Sequence, residues 1–195
     1  MVDMDNFISI KPIAFKILYN LQILRLFSQF YFHYAVREYV KKGDVVIDIG
    51  ANWGCYTRLF SKWGAEVYAV EPVPKFRIIL RKLIGMNVIP YAFGNENKFI
   101  GMEHYHEGDG WYRVSDKGQL AEMIKGSRMF GGFWQINFIK IDVEGSELPI
   151  IEDMAELILK HRPTILIETG KINEVLTHLK GYKIIDQYLN DYLIA

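Results

Sequence analysis

The stretch Val45-Val46-Ile47-Asp48-Ile49-Gly50-Ala51-Asn52-Trp53-Gly54-Cys55-Tyr56-Thr57 constrains the fold of this 195-residue chain more than any other. It opens on a short apolar run, the pattern of a strand buried on both faces. Asp48 interrupts the run, and Gly50, Ala51 and Gly54 supply the small residues of a tight turn. Helical spacing follows through Leu59, Phe60 and Trp63. Strand, glycine turn and helix form the unit with which an α/β domain holds a nucleotide-like ligand at the carboxyl end of its first strand. Glycines let backbone approach the ligand, and the helix start offers free N–H groups.

A second strand, 66–70, ends at Glu71. That carboxylate follows Gly50 by about 20 residues, the usual distance of an acid that holds ribose hydroxyls. The spacing leaves the ligand open, because NAD and S-adenosylmethionine both carry a ribose on adenine. The pattern G-x-G-x-x-G would put glycine at Asn52, and none stands there. A pyrophosphate needs that close approach, whereas S-adenosylmethionine has no phosphate.

Several segments resemble one family. Asp48-Ile49-Gly50-Ala51-Asn52-Trp53-Gly54-Cys55-Tyr56 is similar to the D-x-G-A-N-x-G-x-Y motif of FkbM-type S-adenosylmethionine-dependent methyltransferases. Val70-Glu71-Pro72-Val73-Pro74 resembles their E-P-x-P, and Ala92-Phe93-Gly94-Asn95 their A-L-G-D/N. The run from Phe138 to Glu147 resembles F-x-K-I-D-V-E-G-x-E, and Pro163 to Glu168 resembles P-x-x-x-x-E. Order and spacing hold from about Gly43 to Glu168. The T-L-D-type segment that the family carries before its fourth strand has no counterpart here. The resemblance implies an α/β, Rossmann-like class I methyltransferase sheet of order 3-2-1-4-5-7-6. It implies a cofactor set of Asp48, Gly50, Ala51, Asn52, Gly54, Tyr56, Thr57, Glu71, Pro72, Ala92, Phe93, Gly94 and Asp142.

Half of the residues are hydrophobic, which excludes a disordered chain, and the formal net charge is zero, which argues against a broad nucleic-acid surface. Cys55 is the lone cysteine, so no intrachain disulfide forms and a reducing, cytoplasmic setting is the expectation. The acidic start Met1-Val2-Asp3-Met4-Asp5 does not resemble a signal peptide. Residues 1–42 form their own unit, helical from 12 to 39. Lys16 and Arg25 break its apolar run short of the ~18 residues a membrane span needs. A helical cap on the domain is the favoured reading. A substrate lid and a helix making membrane-surface contact are the alternatives.

The domain 43–195 alternates strands at 45–49, 66–70, 88–91, 138–143, 164–168 and 182–188 with helices at 57–63, 76–84, 147–161 and 172–179. That alternation predicts a parallel sheet covered on both faces. Asn190-Asp191 marks a turn into a short antiparallel last strand, 192–195. The insertion 96–135 is less regular. It holds a hairpin of 99–106 with 111–114, a helix-like segment at 120–125, and a stretch rich in glycine and aromatics at 126–134.

Lys140, Asp142 and Glu144 alternate, so they share one side of the fourth strand if it persists, and catalysis is the reason to place charges there. The bland reading is that Asp142 and Glu144 cap the next helix around Gly145. A divalent metal held by Asp142, Glu144 and Glu147 is a further reading. His104 and His106 are candidate general bases reaching from the hairpin, or simply exposed. Trp111, Tyr112, Phe130, Phe133 and Trp134 either stack on a substrate or pack the insertion. The resemblance implies methyl transfer from S-adenosylmethionine to a hydroxyl of a small-molecule or glycan acceptor. A NAD-dependent oxidoreductase and a non-catalytic module of the same fold at a membrane are the alternatives.

Overall fold

The structure, a computed structural model, describes residues 36–104 and 112–195. The chain divides into two units, Met1–Tyr39 and Val40–Ala195, and the second carries every element described here. The readings of the N-terminal segment as cap, lid or membrane helix fall on residues 1–35, outside the described residues. The same holds for His106, Trp111 and the hairpin turn.

The central sheet begins with β1 (Val45–Ile49), buried at all of its residues. Helix α1 (Cys55–Lys62) leads to β2 (Glu66–Val70), and α2 (Pro74–Ile84) leads to β3 (Val88–Ile89). After an excursion described below, the chain returns as β8 (Phe138–Ile141), α4 (Glu147–His161), β9 (Thr164–Glu168) and α5 (Ile172–His178). It closes with β10 (Ile184–Tyr188) and β11 (Asp191–Ile194). The spatial order is β10-β11-β9-β8-β1-β2-β3, with β11 antiparallel to both neighbours and the other pairs parallel. Numbered within this sheet alone, the order reads 3-2-1-4-5-7-6. The chain leaves β1 toward β2 on one side and later starts β8 on the other, so a switch point lies between β1 and β8.

Local chemistry explains the ends of the helices. Pro74 occupies the first turn of α2, where its missing N–H costs nothing, and Gly85 follows the last turn. Helix α4 buries Ile150, Ile151, Met154, Leu157 and Ile158, one stripe at helical spacing. It ends in left-handed Arg162, whose N–H donates to the Ile158 carbonyl, and Pro163 blocks continuation. The stripe packs on Ile47, Ile49, Ile139, Ile141, Ile165 and Ile167. On the other face, Leu80 of α2 packs with Ala69 and Val88. Among the described residues, no helix is long and apolar enough to cross a membrane.

The excursion is a second sheet rather than a loop. Strands β4 (Ala92–Gly94), β5 (Lys98–His104), β6 (Tyr112–Ser115) and β7 (Gln119–Lys125) assemble in the order β4-β7-β5-β6. The expected hairpin forms, with His104 opposite Tyr112. The expected third strand, 88–91, is cut to two residues, and the chain then crosses to the second sheet as β4. The helix expected at 120–125 is strand β7: Ala121 and Met123 are buried while Leu120 and Glu122 face out, a period of two. The stretch 126–134 begins with the short helix α3 (Gly126–Phe130). Phe130 is wholly buried and, with Phe133, packs edge-on to Tyr68, so these two rings fill the core rather than await a substrate.

Phe60 of α1 is also wholly buried, with Phe138, Tyr56 and Trp63 around its ring. Phe60→Ala should cost about 3–5 kcal/mol of stability. Urea unfolding checks this, and a loss under about 1 kcal/mol would mean that α1 does not anchor the sheet as described.

Candidate functional site at the switch point

The site grows from the carboxyl ends of β1, β2 and β8. Gly50 turns with φ of 80°, and a side chain there would strike the backbone carbonyl oxygen of Asp142, 1.8 Å from an ideal Cβ. Only glycine lets the β1 turn lie against the end of β8. The Gly50 and Ala51 N–H groups both donate to the Val70 carbonyl, which ties the turn to β2 as well. Gly54 has a different task. A side chain there would meet Leu80 and Leu83 of α2 at 2.9 Å, so glycine lets the two helices come together.

Glu71 stands one residue past β2, 4% exposed. Its Oε2 accepts from the Asn52 N–H at 2.9 Å and its Oε1 from the Val73 N–H at 2.7 Å. Asn52 takes a positive φ of 50° to present that amide. The Pro72 carbonyl accepts from Arg77, which fixes the following turn. Burial pushes the Glu71 carboxyl up to about 7, against the two amides that favour its anion. A carboxylate has about four lone-pair positions, so two remain for hydroxyl donors.

Across the turn, Lys140 and Asp48 are paired in register on β8 and β1 and therefore project from the same face. Both are buried. The Lys140 ammonium lies 3.0 Å from Asp142 Oδ2 and 3.7 Å from Asp48 Oδ1, and over the Tyr56 ring at 5.1 Å. Asp48 Oδ2 accepts from the Thr57 hydroxyl at 2.6 Å. Burial works to lower the Lys140 pKa, but Asp142 and Asp48 together raise it above its ordinary value, so the cation persists. Asp48 and Thr57 are 0% exposed. Both side chains lie in the floor beneath the site, bonded to each other.

Ala92 and Phe93 are buried, and Met123 fills the space beside Gly94. Ala92 packs with the second sheet's side chains, whereas Phe93 joins the central core beside Phe130. Strand β8 stops at Ile141, so the alternation does not carry Glu144 beside Lys140 and Asp142. Glu144 instead adopts a left-handed φ of 57°, next to Gly145 at 101°. Glu147 Oε1 is occupied by the Gly145 N–H at 2.7 Å, and Asp142 by Lys140. Among the described residues no three His, Cys, Asp or Glu side chains converge on a metal position, so the expected carboxylate set does not form. His104 bonds through Nε2 to the Tyr112 hydroxyl at 2.6 Å, and its ring lies against the Tyr112 ring. No contact among the described residues joins it to Asp142.

One acid absent from the expected set, Glu168, lines the site, and a second, Asp191, stands beside it. Glu168 ends β9 and stands opposite Asp191 of β11. Asp142, Glu144, Glu147 and Glu168, with Thr169 and Asn190, line a cleft of about 160 Å³. That is below the ~300–1,000 Å³ of a full ligand pocket, so the cleft takes only the reacting end of a molecule. Burial, then Asp142, Asp191 and Glu144, push Glu168 up to about 7, and burial and Asp142 push Asp191 to about 6. Glu168 was visible as the acid closing an apolar strand. Its partner, 23 residues on, becomes a neighbour only through the antiparallel return of β11.

The raised carboxyls have a consequence for stability. Such groups ionise near pH 4 in an unfolded chain, so the folded protein holds more protons between about pH 4 and about pH 7. Their contribution to stability is complete below the unfolded values and is lost as pH rises through about 6–7. For Glu71, the most deeply buried of the three, Glu71→Gln should flatten the fall in Tm seen between about pH 5 and about pH 7.5. A wild-type Tm that does not fall across that interval, or an unchanged slope in the variant, would contradict the burial of this carboxyl.

A model of the methyltransferase FkbM domain matches residues 48–192. No curated protein sequence matches the chain. Among solved structures, a methyltransferase FkbM from Methylobacillus flagellatus KT superposes with a TM-score of 0.57 at 19% identity. The likeness covers 78% of this chain and 44% of that one, so the chain spans less than half of that protein's length. A candidate rRNA methylase from Clostridium thermocellum gives a TM-score of 0.50 at 15% identity, over 86% of this chain and 93% of that one. At these identities the likeness shows a shared fold.

Proposed function

This chain belongs to the FkbM methyltransferase family, and from that premise we propose that it transfers a methyl group from S-adenosylmethionine to a hydroxyl oxygen of a sugar, glycan or other small natural product. The observation that carries this reading is the placement of two carboxylates just past the two strands that flank β1, Glu71 after β2 and Asp142 after β8. Open α/β sheets hold their ligands in the switch-point crevice.

The residues present fit the cofactor. Glu71 keeps lone pairs for a ribose diol and is already braced by two backbone amides. When bound, S-adenosylmethionine supplies an electrophilic methyl on a sulfonium. The protein must place the acceptor oxygen in line and remove its proton. Asp142 suits the first task. Its side chain is 34% exposed, its N–H donates to the Ile49 carbonyl, and Lys140 fixes one oxygen. Glu168 suits the second, because a carboxyl that titrates near neutrality is a base matched to the working pH. Their neighbours in the cleft, Thr169 and Asn190, offer polar contacts to an acceptor.

Asp142→Asn keeps the shape and removes the charge. It should lower turnover by roughly 10²–10⁴ with cofactor affinity intact, measured by single-turnover kinetics beside calorimetry. Full turnover in the variant would reduce Asp142 to a structural residue. With Glu168 as base, kcat should rise with pH to a plateau above about 7, and Glu168→Gln should abolish that limb. A wild-type profile flat from about pH 5 to about pH 8 would remove Glu168 from proton transfer.

A further inference from the structure

The exposed surface of α1 and α2 carries Arg58, Lys62, Lys75, Arg81 and Lys82, and neither helix contains an Asp or Glu. The whole chain has no net charge, so this is a local concentration of one sign. Among the described residues, no ion pair reaches Arg58, Lys75, Arg81 or Lys82. Lys75 lies against the rings of Phe76 and Tyr112 instead. Like charges also crowd along α2: burial first, and the Arg81 charge second, hold the Arg77 guanidinium below its ordinary value.

Bare apolar side chains share this surface. Ile78 on α2 is 58% exposed and Met86, just past its end, 93%. The buried side of α2 is complete without them, since Phe76 and Leu80 fill it. Between the two helices, Arg58, Ser61, Lys62 and Leu83 line a groove of about 450 Å³. Cations set around outward apolar anchors suit a lipid surface, where the anchors enter the acyl boundary and the cations meet phosphates. A nucleic-acid surface would use the same charges but would have no use for Ile78 and Met86.

We propose that the α1–α2 face docks on an anionic lipid bilayer, with Ile78 and Met86 entering it and Arg58, Arg81 and Lys82 contacting its phosphates. Charge complementarity selects this occupant. The face lies wholly within the Val40–Ala195 unit. Docking there does not require methyl transfer. Helix α1 starts directly after the glycine turn, so a docked bilayer lies alongside the loop that bears half-exposed Trp53.

Co-sedimentation of the full chain with vesicles tests the proposal without any turnover. Binding should appear with vesicles of mixed phosphatidylglycerol and phosphatidylcholine, weaken with added salt, and be absent with phosphatidylcholine alone. The triple variant R58E/R81E/K82E should bind about 100-fold more weakly, from the surface attraction expected of three cations. The double variant I78S/M86S, which keeps every charge, should lose binding several-fold. All five side chains are exposed, so unchanged thermal melts should accompany both losses. Three results overturn the proposal: a wild-type chain that stays in the supernatant, variants that bind as well as wild type, or a single-stranded RNA oligomer that displaces the vesicles at equal phosphate.

Discussion

A positive charge sealed inside the central sheet is the constraint on which the rest of this site depends. Lys140 is 5% exposed and sits between Asp142 and Asp48. Taking an ion out of water costs several kcal/mol unless its partners are placed to meet it. Here they are placed by sheet register, because Lys140 and Asp48 are direct neighbours on β8 and β1. The next strand contributes Ala69 opposite Asp48, a side chain small enough to leave room. Burial pushes the Asp48 carboxyl up, while Lys140 and Thr57 favour its anion. The buried group thus braces Asp142 from below and leaves its outer edge to the cleft.

The close approach at Gly50 and the charged floor act on the same residue by different means. Gly50 admits the Asp142 backbone, and Lys140 orients the Asp142 side chain. Farther along the sheet edge, burial and the neighbouring Asp142 charge raise the Glu168 and Asp191 carboxyls, with Lys140 opposing. The edge therefore grades from a fixed ion pair to carboxyls that exchange protons near neutrality. Glu71 lies beyond the turn, and its two amide donors serve the anionic form that a hydroxyl-bearing ligand would also favour. One end of the crevice suits recognition and the other proton transfer.

The sequence disclosed most where a pattern had a single reading. β1, β2, β9 and α4 follow their expected bounds, since buried apolar runs, a strict helical stripe and Pro163 leave little choice. The segment 120–125 was ambiguous, because Leu120, Ala121, Met123 and Ile124 fit either period. Pairing with β5 and β4 decided for strand, and tertiary context routinely overrides so short a signal. Glu71 and the Lys140–Asp142 pair were legible as polar residues at strand ends. The inward turning of Asp48, Thr57 and Gly54 was not, because it depends on the neighbouring strand and helix that fill each space. Asp191 was hidden for the same reason in reverse: it joins the site through the antiparallel pairing of β11 with β9, a long-range contact with no local mark.

The central claim is that the crevice between Glu71 and Asp142 is where donor and acceptor meet. The most direct measurement is a crystal structure of the complex with S-adenosylhomocysteine, the demethylated form of the donor. The account predicts ribose hydroxyls on the Glu71 carboxylate and the sulfur turned toward Asp142 and the Glu168 cleft. A ligand seated away from Glu71, or with its sulfur facing away from Asp142, would contradict it.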